Sequence, residues 1–389
     1  MKILVNGTPL LAPLTGVGQY VRHLFTAMDK LPEAEIRMFY GTYCARGMKL
    51  PSTNTSQVAQ LTYGLVRRFL PRPRSIKKRV ERALFKYHTR GEFGGAGVLY
   101  HEPTYIPLPY NGPLILTVCD MSCFDHPETH PEERVRLMHQ NMPLAIAKAD
   151  HIIVISEASG QALRKWFNVD SARMTTTYLA ADPRYKPGCA EVLAPDLTNL
   201  GLTPGGYVLS VGTLEPRKNL TTLFAAYAGL PVALRKRYPL AVAGMKGWNI
   251  EGLMKPTEQL IRRGELKLLG YVADEIIPSL YAGAAAFCYP SRYEGFGLPV
   301  LEAMASGVPV ITSNRTSLPE VVGNAGIMVD PDDVDGMREH LRQLLEDRSY
   351  AEDMSCRGLV RAQTFSWDRC AQETFSVYQK VMRQRGGKL

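Results

Sequence analysis

Residues 288–312 run CYPSRYEGFGLPVLEAMASGVPVIT, and the other segments of the chain are placed by reference to them. The apolar run Ala284–Tyr289 that leads in reads as a buried strand, ended by the turn signal Pro290-Ser291. Pro299 suits the first position of a helix, where its missing N–H would be unpaired in any case. A helix is therefore predicted to run from Pro299 to Ser306 and to stop at Gly307, with Val308–Thr312 as the next strand. In open parallel sheets such strand–loop–helix–strand units take ligands beyond the carboxyl ends of the strands, where the helix N-terminus attracts anions. Two carboxylates flank that point: Glu294 on the loop and Glu302 in the first part of the helix. Either could serve only as a loop cap or a partner of the helix dipole.

The same alternation extends in both directions. Tyr207–Val211 reads as a strand that ends in Gly212-Thr213-Leu214-Glu215-Pro216-Arg217-Lys218-Asn219, and a helix follows. An Arg and a Lys side by side at such a point suit a diphosphate, since Arg forks two oxygens and Lys supplies a compact charge. Pro239–Ala243 and Leu266–Leu269 add strands. Towards the N-terminus, Lys2–Asn6 reads as a first strand, and Gly16-Val17-Gly18 opens a helix whose apolar face holds Val21, Leu24, Phe25 and Met28. Glycines there let the backbone approach a ligand closely. Glu35–Tyr40, Val98–Tyr100, Leu114–Val118, His151–Ile155 and Thr175–Leu179 continue the strands, and Ser156 with Ser159 offers helix-start chemistry. The proline-rich stretch Ala180–Pro204 lacks sustained periodicity and reads as a linker.

At 389 residues the chain is long enough for two domains of ordinary size. With 45% hydrophobic and 21% charged residues it has the composition of a globular enzyme, and no apolar run approaches the roughly 18 residues of a spanning helix. Met1–Asn6 turns polar too soon for a signal peptide, so a cytoplasmic location is expected. The seven cysteines show no Cys-x-x-Cys spacing, which suits reduced, structural thiols. Charge is concentrated: residues 67–90 hold ten Lys or Arg against Glu81 alone, a local net charge equal to the +9 of the whole chain. Ile76, Val80, Ala83, Leu84 and Tyr87 recur there at helical spacing, and a basic amphipathic helix of this kind is expected to contact an anionic membrane. Few aromatics are interleaved with the charges, which argues against nucleic acid. Asp330-Pro331-Asp332-Asp333 reads as a helix start rather than a metal site.

The string from Glu294 to Val310, together with Ser317-Leu318-Pro319-Glu320-Val321-Val322, resembles the E-x7-E signature of family 4 retaining glycosyltransferases with the GT-B fold. The resemblance implies an α/β architecture of two Rossmann-like doubly wound domains facing each other across a cleft. It places an acceptor domain at 1–190, a linker at 191–204, a nucleotide-sugar domain at 205–366, and a C-terminal helix at 367–389 that packs back on the first domain. Trp367, Phe375, Val377, Tyr378 and Val381 would be buried by that helix.

By the same resemblance, Glu294 and the backbone of Gly295, Phe296, Gly297 and Leu298 would hold the donor sugar, and Glu302 its ribose. Arg217 and Lys218, with Gly212, would hold the diphosphate, which Gly16 and Gly18 also face; Tyr271 and Val272 would receive the nucleobase. Relatives carry His-Asp followed by His-Pro-Glu where this chain has Cys119-Asp120 and His126-Pro127-Glu128. Cys119 thus departs from the pattern, and Asp120 and His126 remain as catalytic candidates. Negative charge grows on the departing phosphate, and the Arg–Lys pair can stabilise it, so activity without a metal or cofactor is expected. The nearest likeness is to bacterial mannosyl- and rhamnosyltransferases of O-antigen or capsule synthesis. It implies GDP-mannose or GDP-rhamnose as donor, a lipid-linked saccharide as acceptor, and retention of configuration. A UDP-hexose donor, a nucleotide-sugar epimerase and a catalytically silent binding subunit are the alternatives.

Overall fold

The computed structural model describes residues 1–11, 14, 16–49, 73–90, 93–95, 97–247 and 257–386, and of residues 73–78 the backbone alone. The chain forms two compact units. Met1–Asp125, Glu132–Leu179 and Trp367–Leu389 make the first; His126–Pro131 and Ala180–Ser366 make the second.

In the first unit the strands are β1 (Lys2–Asn6), β2 (Glu35–Phe39), β3 (Cys44–Arg46), β4 (Val98–Glu102), β5 (Leu114–Val118), β6 (His151–Val154) and β7 (Met174–Thr176). They lie in the order β3-β2-β1-β4-β5-β6-β7, parallel except for the β2–β3 pair. β4, β5 and β6 are buried at every position, as continuous apolar strands are when helices cover both faces. Helix Gly16–Met28 buries Val21, Leu24, Phe25 and Met28, the face expected of it. The final helix, Trp367–Gln384, packs on that helix, with the Trp367 and His23 rings 5.2 Å apart. It buries Trp367, Phe375, Val377, Tyr378 and Val381, as expected. His101 Nδ1 meets the Tyr378 hydroxyl, and its Nε2 lies 2.6 Å from Thr117 Oγ1. Burial pushes this imidazole down to about 3, so it joins the helix to β4 and β5 as a neutral ring.

The second unit holds β8 (Val208–Val211), β9 (Leu240–Ala243), β10 (Leu266–Gly270), β11 (Ala286–Tyr289), β12 (Val310–Ser313) and β13 (Ile327–Val329). Their order is β10-β9-β8-β11-β12-β13, all parallel. The strand order reverses between β8 and β11. The loops that follow these two strands therefore emerge side by side, in the position where doubly wound sheets bind nucleotides. The expected helix is present as Leu298–Ala305, and Gly307 ends it in the left-handed conformation at φ +74°.

One expectation needs correction. Most of the segment read as a linker, 191–204, is helical: Ala190–Asn199 buries Leu193 and Leu197 and packs on helix Ile277–Ala282. Pro195 made the stretch look broken, yet one turn of Leu spacing suffices when a neighbour receives it. The basic helix Pro73–His88 is present, and its buried face is centred on Phe85. The Phe85 ring sits 5.1 Å from those of Phe39 and Tyr100, and Val80 and Tyr87 are exposed. Residues 67–72 and the side chains of 73–78, also part of the segment expected to contact a membrane, lie outside the described residues.

Candidate active site

The site in the second unit is assembled by the β8 and β11 loops. After β8 the chain turns at Gly212 (φ +150°), passes through one turn of 3-10 helix at Pro216–Lys218, and enters helix Leu220–Ala228. Asn219 fixes this path: it adopts φ +53°, and its Nδ2 donates to the carbonyls of Pro290 at 3.2 Å and Pro331 at 2.6 Å. The β11 loop answers it. Arg292 N–H donates to the Arg217 carbonyl at 2.9 Å, and Ser291 Oγ lies 3.1 Å from the same carbonyl. Ser317 Oγ then pins the glutamate turn, its one hydrogen shared between the carbonyls of Glu294 at 2.9 Å and Phe296 at 2.8 Å. Gly297 sits at φ +115°, where an added Cβ would fall 2.7 Å from Leu318 Cδ2, so glycine is required.

These loops place Glu294 between two cations. Its Oε2 is 2.9 Å from Arg217 Nη1, and its Oε1 is 2.7 Å from Lys218 Nζ; the three side chains are only 10–14% exposed. Tyr289 Oη at 2.9 Å and Ser291 Oγ at 2.5 Å also donate to Glu294. Burial by itself would raise this carboxyl, but Arg217 and Lys218 outweigh it and hold Glu294 down to about 2. Arg217 also pairs with Glu215 at 2.6 Å and donates to the Tyr293 carbonyl. Lys218 Nζ donates to the Tyr289 hydroxyl and stands 4.9 Å from the centre of that ring. Both cations are thus held by protein partners.

Glu302 occupies a different environment. Burial, with Asp182 and Asp274 nearby, pushes it up to about 7, and the hydroxyls of Tyr281 and Tyr185 oppose that rise. Arg184 ties this corner together, donating to Asp182 at 2.9 Å and Asp274 at 3.0 Å. Tyr271 and Val272 follow β10, with Tyr271 64% exposed and Gly270 at φ +66°.

His126 belongs to this unit by its contacts. Its ring lies 5.4 Å from that of Tyr293, edge to face, and its Nδ1 is 3.2 Å from Glu128. Gly16, Gly18 and Asp120 stand on the first unit. Asp120 accepts from the backbone and hydroxyl of Ser122 at 3.0 and 2.6 Å, which makes it the cap of the turn Ser122–Asp125. The neighbouring Cys119 is 6% exposed, and burial raises its thiol, so it offers no proton carrier where a His was expected.

Sequence reading missed Tyr289, Ser291 and Glu215 around the cation pair, and Tyr281, Tyr185 and Asp182 around Glu302. It also missed Glu102, fully buried at the end of β4 and bonded to Asn6 at 2.9 Å, Thr104 and Tyr100. Burial raises that carboxyl, and these donors oppose the rise.

Residues 202–359 match the family model described as glycosyl transferases group 1. The whole chain is 39% identical to the O-antigen chain mannosyltransferase B of Escherichia coli, over 97% of this chain and 99% of that protein. The chain belongs to the group 1 glycosyltransferases. Among solved structures it is similar to the sucrose-phosphate synthase of Thermosynechococcus elongatus, with a TM-score of 0.72 at 20% identity, covering 98% of this chain and 99% of that one. It is similar also to WaaG, a glycosyltransferase involved in lipopolysaccharide biosynthesis, with a TM-score of 0.69 at 15% identity, covering 97% and 99%. At these identities the two structures speak for the GT-B fold alone. This glycosyltransferase brings Arg217, Lys218 and Glu294 together on the β8 and β11 loops of its second unit.

Proposed function

We propose that this glycosyltransferase moves mannose, or the related deoxysugar rhamnose, from its GDP carrier to a lipid-linked or growing O-antigen-type saccharide, with retained configuration and without a divalent metal. The observation that carries the chemistry is the bracket of Arg217 and Lys218 about Glu294 at the point where the strand order reverses. The mannosyl assignment rests on the full-length likeness to the E. coli protein.

In the reaction the bond from the sugar anomeric carbon to the diphosphate oxygen breaks, and negative charge builds on that oxygen. Arg217 and Lys218 supply fixed positive charge there, both rigidly held by their protein partners, so little reorganisation is needed as the charge grows. This is the task a metal performs in other enzymes. Glu294, kept ionised by its two neighbours, accepts hydrogen bonds from donor-sugar hydroxyls, and Gly297 lets the turn approach the sugar closely. The acceptor hydroxyl attacks from the face the diphosphate leaves, and its proton passes to a departing phosphate oxygen. Neither Asp120 nor Cys119 is asked to move a proton, which agrees with the capping role of one and the burial of the other. Glu302 accepts from the ribose hydroxyls, and the Tyr271–Val272 strand end takes the base.

Among the described residues no helix is long and apolar enough to cross a membrane. The reading places the enzyme in the cytoplasm, at the membrane face where a lipid-linked acceptor is presented. Calorimetry with GDP-mannose, GDP, UDP-glucose and UDP tests the donor. Tight binding of the guanine nucleotides with weak uridine binding is expected, and the reverse order would move the donor to a UDP-hexose.

A further inference from the structure

The described part of helix Pro73–His88, with the two residues after it, has two unlike faces. Phe85 is fully buried against Phe39 and Tyr100, and Leu84 and His88 are half-buried beside it. Glu81, the segment's one acid, is also half-buried on that side, with Oε1 beside Gly41. The opposite face carries Arg79, Arg82, Lys86 and Arg90, all exposed. Their side chains form no ion pair among the described residues. Along one edge of this cationic face run Val80, 50% exposed, Ala83 and Tyr87, 68% exposed, at the i, i+3, i+7 spacing of a single stripe.

A solvated helix face mixes charges of both signs, and single exposed apolar residues on it mean nothing. Here one sign alone is displayed, beside a continuous apolar edge that includes an aromatic with a polar tip. Basic side chains that reach headgroups while their stems and a Tyr settle at the acyl boundary are the pattern of an interfacial helix. We infer that this face docks the enzyme on an anionic lipid bilayer, with Arg79, Arg82, Lys86 and Arg90 on the headgroups and Val80, Ala83 and Tyr87 in the interface. The inference deepens the reading above, since it rests on an acceptor carried by a lipid, and it names the surface that meets the bilayer. It also explains why Phe85 rather than the more numerous apolar positions faces inward: the fold needs one large anchor, and the remaining apolar residues are left for the membrane.

The test is flotation of the full-length protein with vesicles of phosphatidylglycerol in phosphatidylcholine, against phosphatidylcholine alone, at low and high salt. Binding to the anionic vesicles at low salt is expected, weakening as salt screens the headgroups. The triple substitution Arg79→Gln, Arg82→Gln, Lys86→Gln should lower the partition coefficient about a hundredfold, from roughly a fivefold loss per cation. Tyr87→Gln should lower it at either salt concentration, and both variants should keep unaltered transfer to a short water-soluble acceptor. Equal binding to neutral vesicles, equal binding by the triple variant, or no vesicle binding by the unaltered protein would overturn the inference. So would a dimer that Tyr87→Gln converts to monomer, because the face would then be covered by a second copy. Failure of transfer to the soluble acceptor by the unaltered protein would instead strike at the proposed reaction and leave the vesicle result standing.

Discussion

Replacing Glu294 by Gln removes one negative charge from between two buried cations while keeping the size of the side chain. Arg217 and Lys218 stand 2.9 and 2.7 Å from the carboxylate, and all three groups are nearly excluded from water. Their attraction holds the carboxyl at about 2, against 4.5 for an ordinary glutamate. At about 1.4 kcal/mol per pH unit, this corresponds to about 3 kcal/mol of stability at neutral pH. Removal of one partner from a buried pair costs about 3–5 kcal/mol, in the same range. The sign follows from the depression: the stabilisation is present above pH 4.5 and is lost as pH falls towards 2. Gln does not titrate, so the gap between the two proteins should close over that interval. In calorimetric melts without nucleotide, the transition of the second unit should fall by about 6–12 °C at pH 7, and by less at each step from pH 4.5 downward. An unchanged melting temperature at pH 7, or a gap that stays constant down to pH 3, would refute the account of the cation bracket.

Four further outcomes are expected. Glu302 is pushed up to about 7 by burial and by Asp182 and Asp274, so ribose hydroxyls donating to it should draw off its proton. Binding of GDP at pH 7 should release about half a proton, read by calorimetry in buffers of different ionisation enthalpy. For the same reason, the buried charge costs stability above pH 7 and nothing below pH 4.5, so Glu302→Gln should melt higher than the parent at pH 8 and equally at pH 4. Arg217→Lys keeps the charge but loses the fork that spans Glu215, Glu294 and the Tyr293 carbonyl; kcat should fall about a hundredfold. The unaltered enzyme should keep its rate in chelator, and a loss restored by manganese would contradict the role given to Arg217 and Lys218.

What could be read from the chain was whatever local chemistry writes into it. Pro290, Gly297, Pro299 and Gly307 punctuate the β11 loop and its helix, and the observed elements fall within a residue or two of where these place them. Arg217 and Lys218 announced themselves by type and position. Their grip on Glu294 was not legible, because it depends on β8 pairing with β11, which brings together Lys218 and Glu294 from 76 positions apart in the sequence. Tyr289 read only as the end of a strand, and Ser291 only as a turn residue. Tyr185 and Tyr281 come from separate segments, and no local pattern aims either at Glu302. That Phe85 anchors the basic helix was not legible for a physical reason: five apolar positions at helical spacing outweigh one Phe in any count of periodicity, yet Phe85 is buried while Val80, Ala83 and Tyr87 are exposed. Ala190–Asn199 misled for a similar reason, since Pro195 looks like a breaker until a neighbouring helix is there to hold Leu193 and Leu197.

The most direct test of the central claim is transfer itself. The enzyme is incubated with GDP-mannose and, separately, UDP-glucose, and with a synthetic lipid-linked saccharide, and the product is read by mass and by the coupling at its new anomeric centre. The account predicts one added hexose from GDP-mannose, in the configuration it had in the donor, with little or none from UDP-glucose. Inverted configuration, transfer from UDP-glucose alone, or conversion of the free nucleotide sugar without any acceptor would contradict it.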